Sequence, residues 1–313
     1  METNWAVATS PASTDVIDYL RGFELTSTEN KEEDFIIGGG RAVRGRRWLN
    51  REVSGALDFE PCSGRMFYAA LGSIAGAGGT GESTTLPCTI GMETVLPSFT
   101  IKREIRYPGE AIQSSGLKID RLEMNIDEGG PVVITCDLAG QSYSIPIYTT
   151  LTPDIDFSAT PYGYQHSSID IIMNSGATTN VDHMRNFRLE IRNNLEAIFS
   201  PGKGSLGCTH LKERGLEITG RMLFDYPFAT FATDILGRTE NTLKVTLAGA
   251  TQGTVVLTIS DVAFEGFPDA IRGMDMMQLD LPFVARQPSS TGSIITITQG
   301  SISGATVLSD LAY

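Results

Sequence analysis

Apolar runs, histidine, cysteine and lysine are all scarce in this 313-residue chain. No hydrophobic stretch approaches the roughly 20 residues that cross a bilayer as a helix, which excludes a helical integral membrane protein. Met1 to Ser10 carries neither a basic segment nor an apolar one, so no secretory signal is expected. The 4 cysteines, at 62, 88, 136 and 208, do not make a disulfide framework and show no metal-ligand spacing. Cys62 and Cys88 flank a predicted helix, but free buried thiols are the expectation. The 3 histidines, His166, His183 and His210, form no H-E-x-x-H pattern, and no G-x-S-x-G elbow is present. The 2 tryptophans, Trp5 and Trp48, lie far apart, which disfavours the clustered aromatic platforms of a glycan-binding β-sandwich module. No catalytic, cofactor-binding or metal-binding residue is assigned, and an enzyme is not expected.

Basic charge is short as well. Lys and Arg number 24 against 37 Asp and Glu, a formal net charge of −13. A general binder of phosphate backbones needs a net basic surface, so that class is excluded. A protein that nucleic acid passes without adhering is not. Gly76 to Ser83 matches G-x-G-x-x-G and nearly matches a phosphate loop. Glu82 stands where the phosphate-pairing lysine belongs, and Pro87 falls where a helix should run, so the segment is an assembly loop instead. The carboxylate pairs Asp154/Asp156 and Asp127/Glu128 sit in turn-like segments without an EF-hand pattern.

What the chain has in quantity is short β-type segments punctuated by Gly and Pro. Ser168 to Ile172, Asn186 to Ile191, Val255 to Ile259, Leu122 to Ile126, Val132 to Leu138, Leu243 to Leu247 and Ile294 to Thr298 are rich in β-branched or aromatic residues. Turn signals such as Glu128-Gly129-Gly130-Pro131 separate them. A mainly β architecture follows. Two segments, Ser63 to Leu71 and Pro227 to Leu236, instead carry apolar residues at helical spacing, closed by Gly72 and Gly237.

These helices expose an internal repeat. Glu52-Val53-Ser54-Gly55 resembles Glu217-Ile218-Thr219-Gly220, and Leu71-Gly72 matches Leu236-Gly237, at one common offset of 165 positions. The first strand of the pair alternates. Val53, Gly55, Leu57 and Phe59 form an apolar face; Glu52, Ser54, Ala56, Asp58 and Glu60 form a polar, acidic one. Glu52, Asp58 and Glu60 are the candidates for a wet face. Length suggests two domains, 1–150 and 151–313, joined by the polar, proline-containing link from Ser144 to Pro161. Thr26 to Asp34 and Gly72 to Thr85 are expected to be polar excursions from the core. Arg44, Arg46, Arg47 and Trp48 lie in a basic cluster with Arg41 and Arg51. Arg and Trp are enriched in protein interfaces, so this cluster is the candidate inter-subunit contact.

The order of these features resembles the tail tube proteins of tailed viruses, of the two-domain type about 300 residues long. Three segments carry the resemblance. Arg46 to Gly55 leads into the first helix. Leu117 to Gly140 holds Ile119-Asp120-Arg121-Leu122-Glu123-Met124, the Gly129-Gly130 turn and Val132 to Leu138. Phe187 to Glu196 is followed by Leu216 to Gly220 and the second helix. The resemblance implies two tandem β-sandwich or half-barrel domains, each flanked by a short α-helix, with long assembly loops. It implies a structural virion protein with no active site and no cofactor, located in the virion tail and in the host cytoplasm during assembly. Copies would stack as rings, trimeric with pseudo-sixfold symmetry or hexameric, into a channel that viral DNA crosses without specific binding. Other tail proteins would be further partners. A distal or baseplate tube protein and the tube subunit of a contractile injection system are the alternatives within the same class.

Overall fold

The computed structural model describes residues 19–34, 45–76, 83–85, 88–106, 110–147, 160–172, 178–181, 184–200, 206–225, 240–249, 253–265, 278–288, 292–300 and 307–309. The first half of the chain forms β1 (Tyr19–Asp34), β2 (Gly45–Glu60), α1 (Arg65–Leu71), β3 (Gly72–Gly76), β4 (Ser83–Thr85), β5 (Cys88–Met92), β6 (Phe99–Arg106), β7 (Glu110–Asp127), β8 (Val132–Gly140) and β9 (Ser142–Ile147). The second forms β10 (Ser167–Ile172), β11 (Thr178–Asn180), β12 (Met184–Arg192), β13 (Leu195–Ile198), β14 (His210–Glu213), β15 (Glu217–Asp225), β16 (Asn241–Gly249), β17 (Gly253–Phe264), β18 (Gln278–Ala285), β19 (Ile295–Gln299) and β20 (Val307–Ser309).

Sixteen strands join one antiparallel sheet in the order β1-β2-β8-β7-β12-β15-β18-β17-β16-β10-β11, with β19, β5, β3, β6 and β9 branching from it. Alternation along the strands fixes which face is dry. Leu57, Cys136, Leu122, Ile191, Ile218 and Ala285 lie side by side across six strands, and all are buried. Two strands change layers. The N-terminal part of β7 pairs with β6 and β9, and its C-terminal part with β8 and β12. β17 does the same, pairing first with β16 and β19 and then with β18. The core lies between the layers so formed, and Phe187 and Phe283 stack in it with ring centroids 6.2 Å apart.

The helix predicted over Ser63 to Leu71 is α1, with Phe67 and Ala70 fully buried. Gly72 closes it at φ 94, a left-handed conformation that glycine adopts without steric cost, and donates its N–H to the Tyr68 carbonyl. The second predicted helix, Pro227 to Leu236, lies outside the described residues. Among the described residues α1 is the one α-helix, so the expectation of two helix-flanked domains narrows to a large antiparallel sheet with one flanking helix. No helix among them is long and apolar enough to cross a membrane.

Two expected excursions are strands. Thr26 to Asp34 continues β1, paired with β2 to its end. The segment reads as a loop because it lacks apolar alternation. Backbone pairing with β2 holds it instead: Glu32 stands opposite Arg47 and Glu33 opposite Arg46 in the register, and Glu29 is ion-paired with Arg51. Gly72 to Thr85 contains β3 and β4, and β3 is fixed by β5, with Ile74 opposite Ile90. Of the link from Ser144 to Pro161, residues 144–147 belong to β9 and 148–159 lie outside the described residues.

Pairing registers recur between the halves. Leu25 faces Gly55 as Leu189 faces Gly220, and Phe23 faces Leu57 as Phe187 faces Met222. Gly55 is next to Leu138 on its other side, Gly220 next to Phe283. The bulges repeat too. One falls between Leu20 and Gly22 and the other between Met184 and Asn186. Another falls between Phe99 and Ile101 in β6 and between Asn241 and Leu243 in β16. Even the β13–β14 pair keeps the register of the outer part of β1–β2. Glu196 faces Lys212 as Glu32 faces Arg47.

Both repeated glycines sit where a side chain has no room. A Cβ on Gly55 would lie 2.2 Å from the Glu24 carbonyl oxygen; one on Gly220 would lie 2.2 Å from Phe283 Cζ and 2.5 Å from the Arg188 carbonyl oxygen. Gly55→Ala and Gly220→Ala should each lower stability by about 1–3 kcal/mol through overpacking. Urea unfolding followed by circular dichroism checks this, and an unchanged midpoint for both variants would contradict the close approach.

Candidate functional face and edges

The polar face of the sheet is the feature of this molecule with the most ordered chemistry. Register carries it across the chain. Asp58 pairs with Thr135, Thr135 with Glu123, Glu123 with Glu190 and Glu190 with Thr219. These residues therefore share one face, opposite to the row led by Leu57. Asp58 is half-buried and accepts a hydrogen bond from Thr135 Oγ1 at 2.7 Å. Glu52 is exposed, and Glu60 is half-buried beside Arg21 at 3.5 Å. All three predicted wet-face residues lie on this side.

Among the described residues, the guanidiniums of this face on β7, β12 and β15 are engaged. Arg121 of β7 binds Glu123, Glu190 and Asp137. Arg188 reaches Glu123 at 2.7 Å, Arg192 reaches Glu190 at 2.6 Å, and Arg221 pairs with Asp280. Burial alone raises the Glu190 pKa, but hydrogen bonds from Arg192 and Arg121, with their charges, outweigh it and leave the carboxyl below its ordinary value. Burial opposes the charge on Arg121 too. The carboxylates around it prevail and raise its pKa. This network bridges β8, β7 and β12, which join the two halves. Its members are spread from position 121 to 192, and sequence reasoning missed it. The alternation Arg188-x-Glu190-x-Arg192 was the available signal, but only the cross-strand register brings in Arg121.

A second join lies beyond the end of β12. Asn193 donates from Nδ2 to the carbonyls of Ala70 and Ile119, both at 2.9 Å, and its backbone N–H reaches the Asp120 carbonyl at 2.7 Å. The Leu195 N–H donates to Asp120 Oδ1 at 2.7 Å. Buried Lys118 holds Glu213 of β14 at 2.7 Å. Burial raises the Glu213 pKa, whereas hydrogen bonds from Lys118 and the Leu96 backbone lower it further, so the carboxyl ends below its ordinary value.

Of the predicted contact cluster, Arg44 lies outside the described residues. Arg46, Arg47 and Trp48 lie on β2 opposite Glu33, Glu32 and Lys31. His166 accepts the Gly163 N–H at Nδ1 over 3.0 Å, which is a structural role; His210 is exposed on β14, and His183 lies outside the described residues. Asp127 accepts from Asn125 and Asn186, and Glu128 pairs with Arg185 at 3.0 Å, so these carboxylates tie the β7–β8 turn to β12. The cysteines are buried and form no disulfide, and burial pushes the Cys88 and Cys208 thiols up to about 11. Among the described residues no group of three or more His, Cys, Asp or Glu could hold a metal ion.

Because the folded-state pKa of Glu190 is depressed, its contribution to stability is present above the unfolded carboxylate pKa. It disappears as pH falls through the folded value. Glu190→Gln should therefore be less stable than the wild type at neutral pH, and the difference should vanish in acid. Urea midpoints measured across pH 2–7 test this, and a difference independent of pH would overturn the assignment.

The phage tail tube protein family model matches residues 1–285. No curated protein matches the chain. The matched region includes the acidic face, both joins and the repeated glycines. The chain belongs to the phage tail tube protein family and is a structural component of the virion tail, not an enzyme.

Proposed function

We propose that this chain is the major tail tube subunit, which polymerises into stacked rings that form the channel for genome delivery. Membership of the family implies polymerisation with itself and with other tail proteins. The recurring registers support two tube domains per chain, 1–150 and 151–313, so that a ring of three copies presents six. The observation that carries the channel reading is the acidic face, with its guanidiniums engaged by carboxylates. Duplex DNA adheres to protein by exchanging its counterions for Lys and Arg. A wall whose arginines are already paired and whose remaining charge is acidic has nothing to exchange, so the genome slides past it. Glu52, Asp58 and Glu60 then line the lumen. Arg46, Arg47 and Trp48, near the start of β2, and Arg44, which precedes it in sequence, contact other copies.

Immunogold labelling of intact virions separates this reading from a distal or baseplate role. Label along the whole tail is expected, whereas label confined to the tip would overturn it. The lumen assignment has its own test. Glu52 and Glu217 occupy the same position in the two repeats, and both are exposed. Glu52→Lys with Glu217→Lys should leave tails of normal length while slowing DNA release about tenfold, because the new ammonium groups hold phosphates. Dye-monitored ejection from purified virions reads this. Normal release from normal tails would exclude these residues from the channel wall.

A further inference from the structure

The outer layers of the two repeats are built alike and finished differently. Strand β6 corresponds to β16: both carry a bulge after their first paired residue and run beside a strand that changes layers, β7 and β17 respectively. β16 is paired on both edges, with β17 and with β10. Among the described residues β6 is paired with β7 alone. Burial follows the difference. Leu243, Val245 and Ile259 of the second repeat are fully buried, and Ile169 and Ile171 of β10 are buried opposite Val245 and Leu243. Their first-repeat counterparts Ile101, Arg103 and Ser114 line a groove with Phe23, Leu25 and Tyr143. Ile101 is half-buried and Arg103 is exposed, its guanidinium 5.4 Å from the centroid of the Phe23 ring. The Ser114 Oγ, where the second repeat has Ile259, is buried with no hydrogen-bond partner among the described residues.

We propose that this groove and the second edge of β6 receive the N-terminal segment of the same chain, residues 3–8, paired antiparallel to β6 as β10 is to β16. Those residues lie outside the described ones; their sequence carries the assignment. Counting back equally from Phe23 and Phe187, which share a pairing position, Trp5 falls where Ile169 does and Val7 where Ile171 does. The connection to the next strand repeats as well. Thr14, Asp18 and Leu20 stand where Thr178, Asp182 and Met184 do, so both links have the same length. In the register of β10 on β16, Trp5 comes opposite Arg103, Val7 opposite Ile101 and Ala6 opposite Lys102. The residue types change together across the pair. Where the second repeat sets Ile169 against Val245, the first sets an indole against a guanidinium that already lies over Phe23. Among aromatic rings, that of tryptophan attracts a cation best. The indole also brings an N–H donor to the groove that holds the unpartnered Ser114 hydroxyl. The contact needs no second copy, so it stands apart from the tube reading.

With 2 tryptophans in the chain, Trp48→Phe leaves Trp5 as the one tryptophan reporter in the full-length protein. As a folded monomer, this variant should show blue-shifted tryptophan emission and several-fold less acrylamide quenching than the same protein in urea, at every protein concentration. Red-shifted, fully quenched emission from a protein that circular dichroism shows to be folded would overturn the proposal. Protection that grows with concentration would put the segment on another copy and overturn it too. A cross-link fixes the register. Ala6→Cys with Lys102→Cys, treated with a short thiol-to-thiol cross-linker, should join positions 6 and 102 within one chain, read by mass spectrometry of the monomer band. The native cysteines are buried and contribute little background. No link in the folded double variant, or a link that forms equally well between the two single variants when they are mixed, counts against the contact.

Discussion

The hydrogen-bond ladder between β7 and β12 is the constraint on which the rest of the structure depends. It converts two repeats into one sheet, and because side chains alternate with a period of two, it must do so in a single register. A slip of one residue would turn Leu122 and Leu189 to water and drive Glu123 and Glu190 into the core. Arg121 guards against the slip. Its guanidinium reaches carboxylates on its own strand and on both neighbours, a geometry that exists in one alignment only. Partly buried charges of this kind are weak as net stabilisers but costly to leave unpaired, which makes them better at selecting a register than at adding stability.

Much of the sheet was legible in the sequence because most strands keep one dry face. β8 and β16 alternate along most of their length and β17 does so from Val255 to Ile259, with Ile134, Val245 and Leu257 among the buried positions. The repeat was visible through Gly55 and Gly220, whose shared role is steric. Each lies against the carbonyl of the strand before it, and only glycine tolerates that approach. The helix before Gly72 was visible because helical spacing and a left-handed stop coincide there.

What was hidden had a common cause. The outer half of β1 has no dry face to advertise, since its one partner among the described residues is another polar strand, and cross-strand charge pairs leave no periodic trace in one segment read alone. The Arg121 network was hidden because its residues acquire meaning from pairing between distant strands. The wet-face candidates Glu52, Asp58 and Glu60 emerged from β2, the strand whose alternation was read on both faces. The basic members of that face lie on strands read for their apolar residues.

One further feature bears on how the chain reaches this structure. β5, from the first half, completes the outer layer of the second by pairing with β19, Ile90 against Ile297. Residues 88–92 thus leave the ribosome about two hundred residues ahead of their partner and carry an open strand edge through most of synthesis. The first repeat cannot finish folding as an independent unit while the second is still being made. Maturation of the layer waits until β19 has been made, so a truncated chain ending before β19 would present a sticky edge to its neighbours instead of a usable subunit.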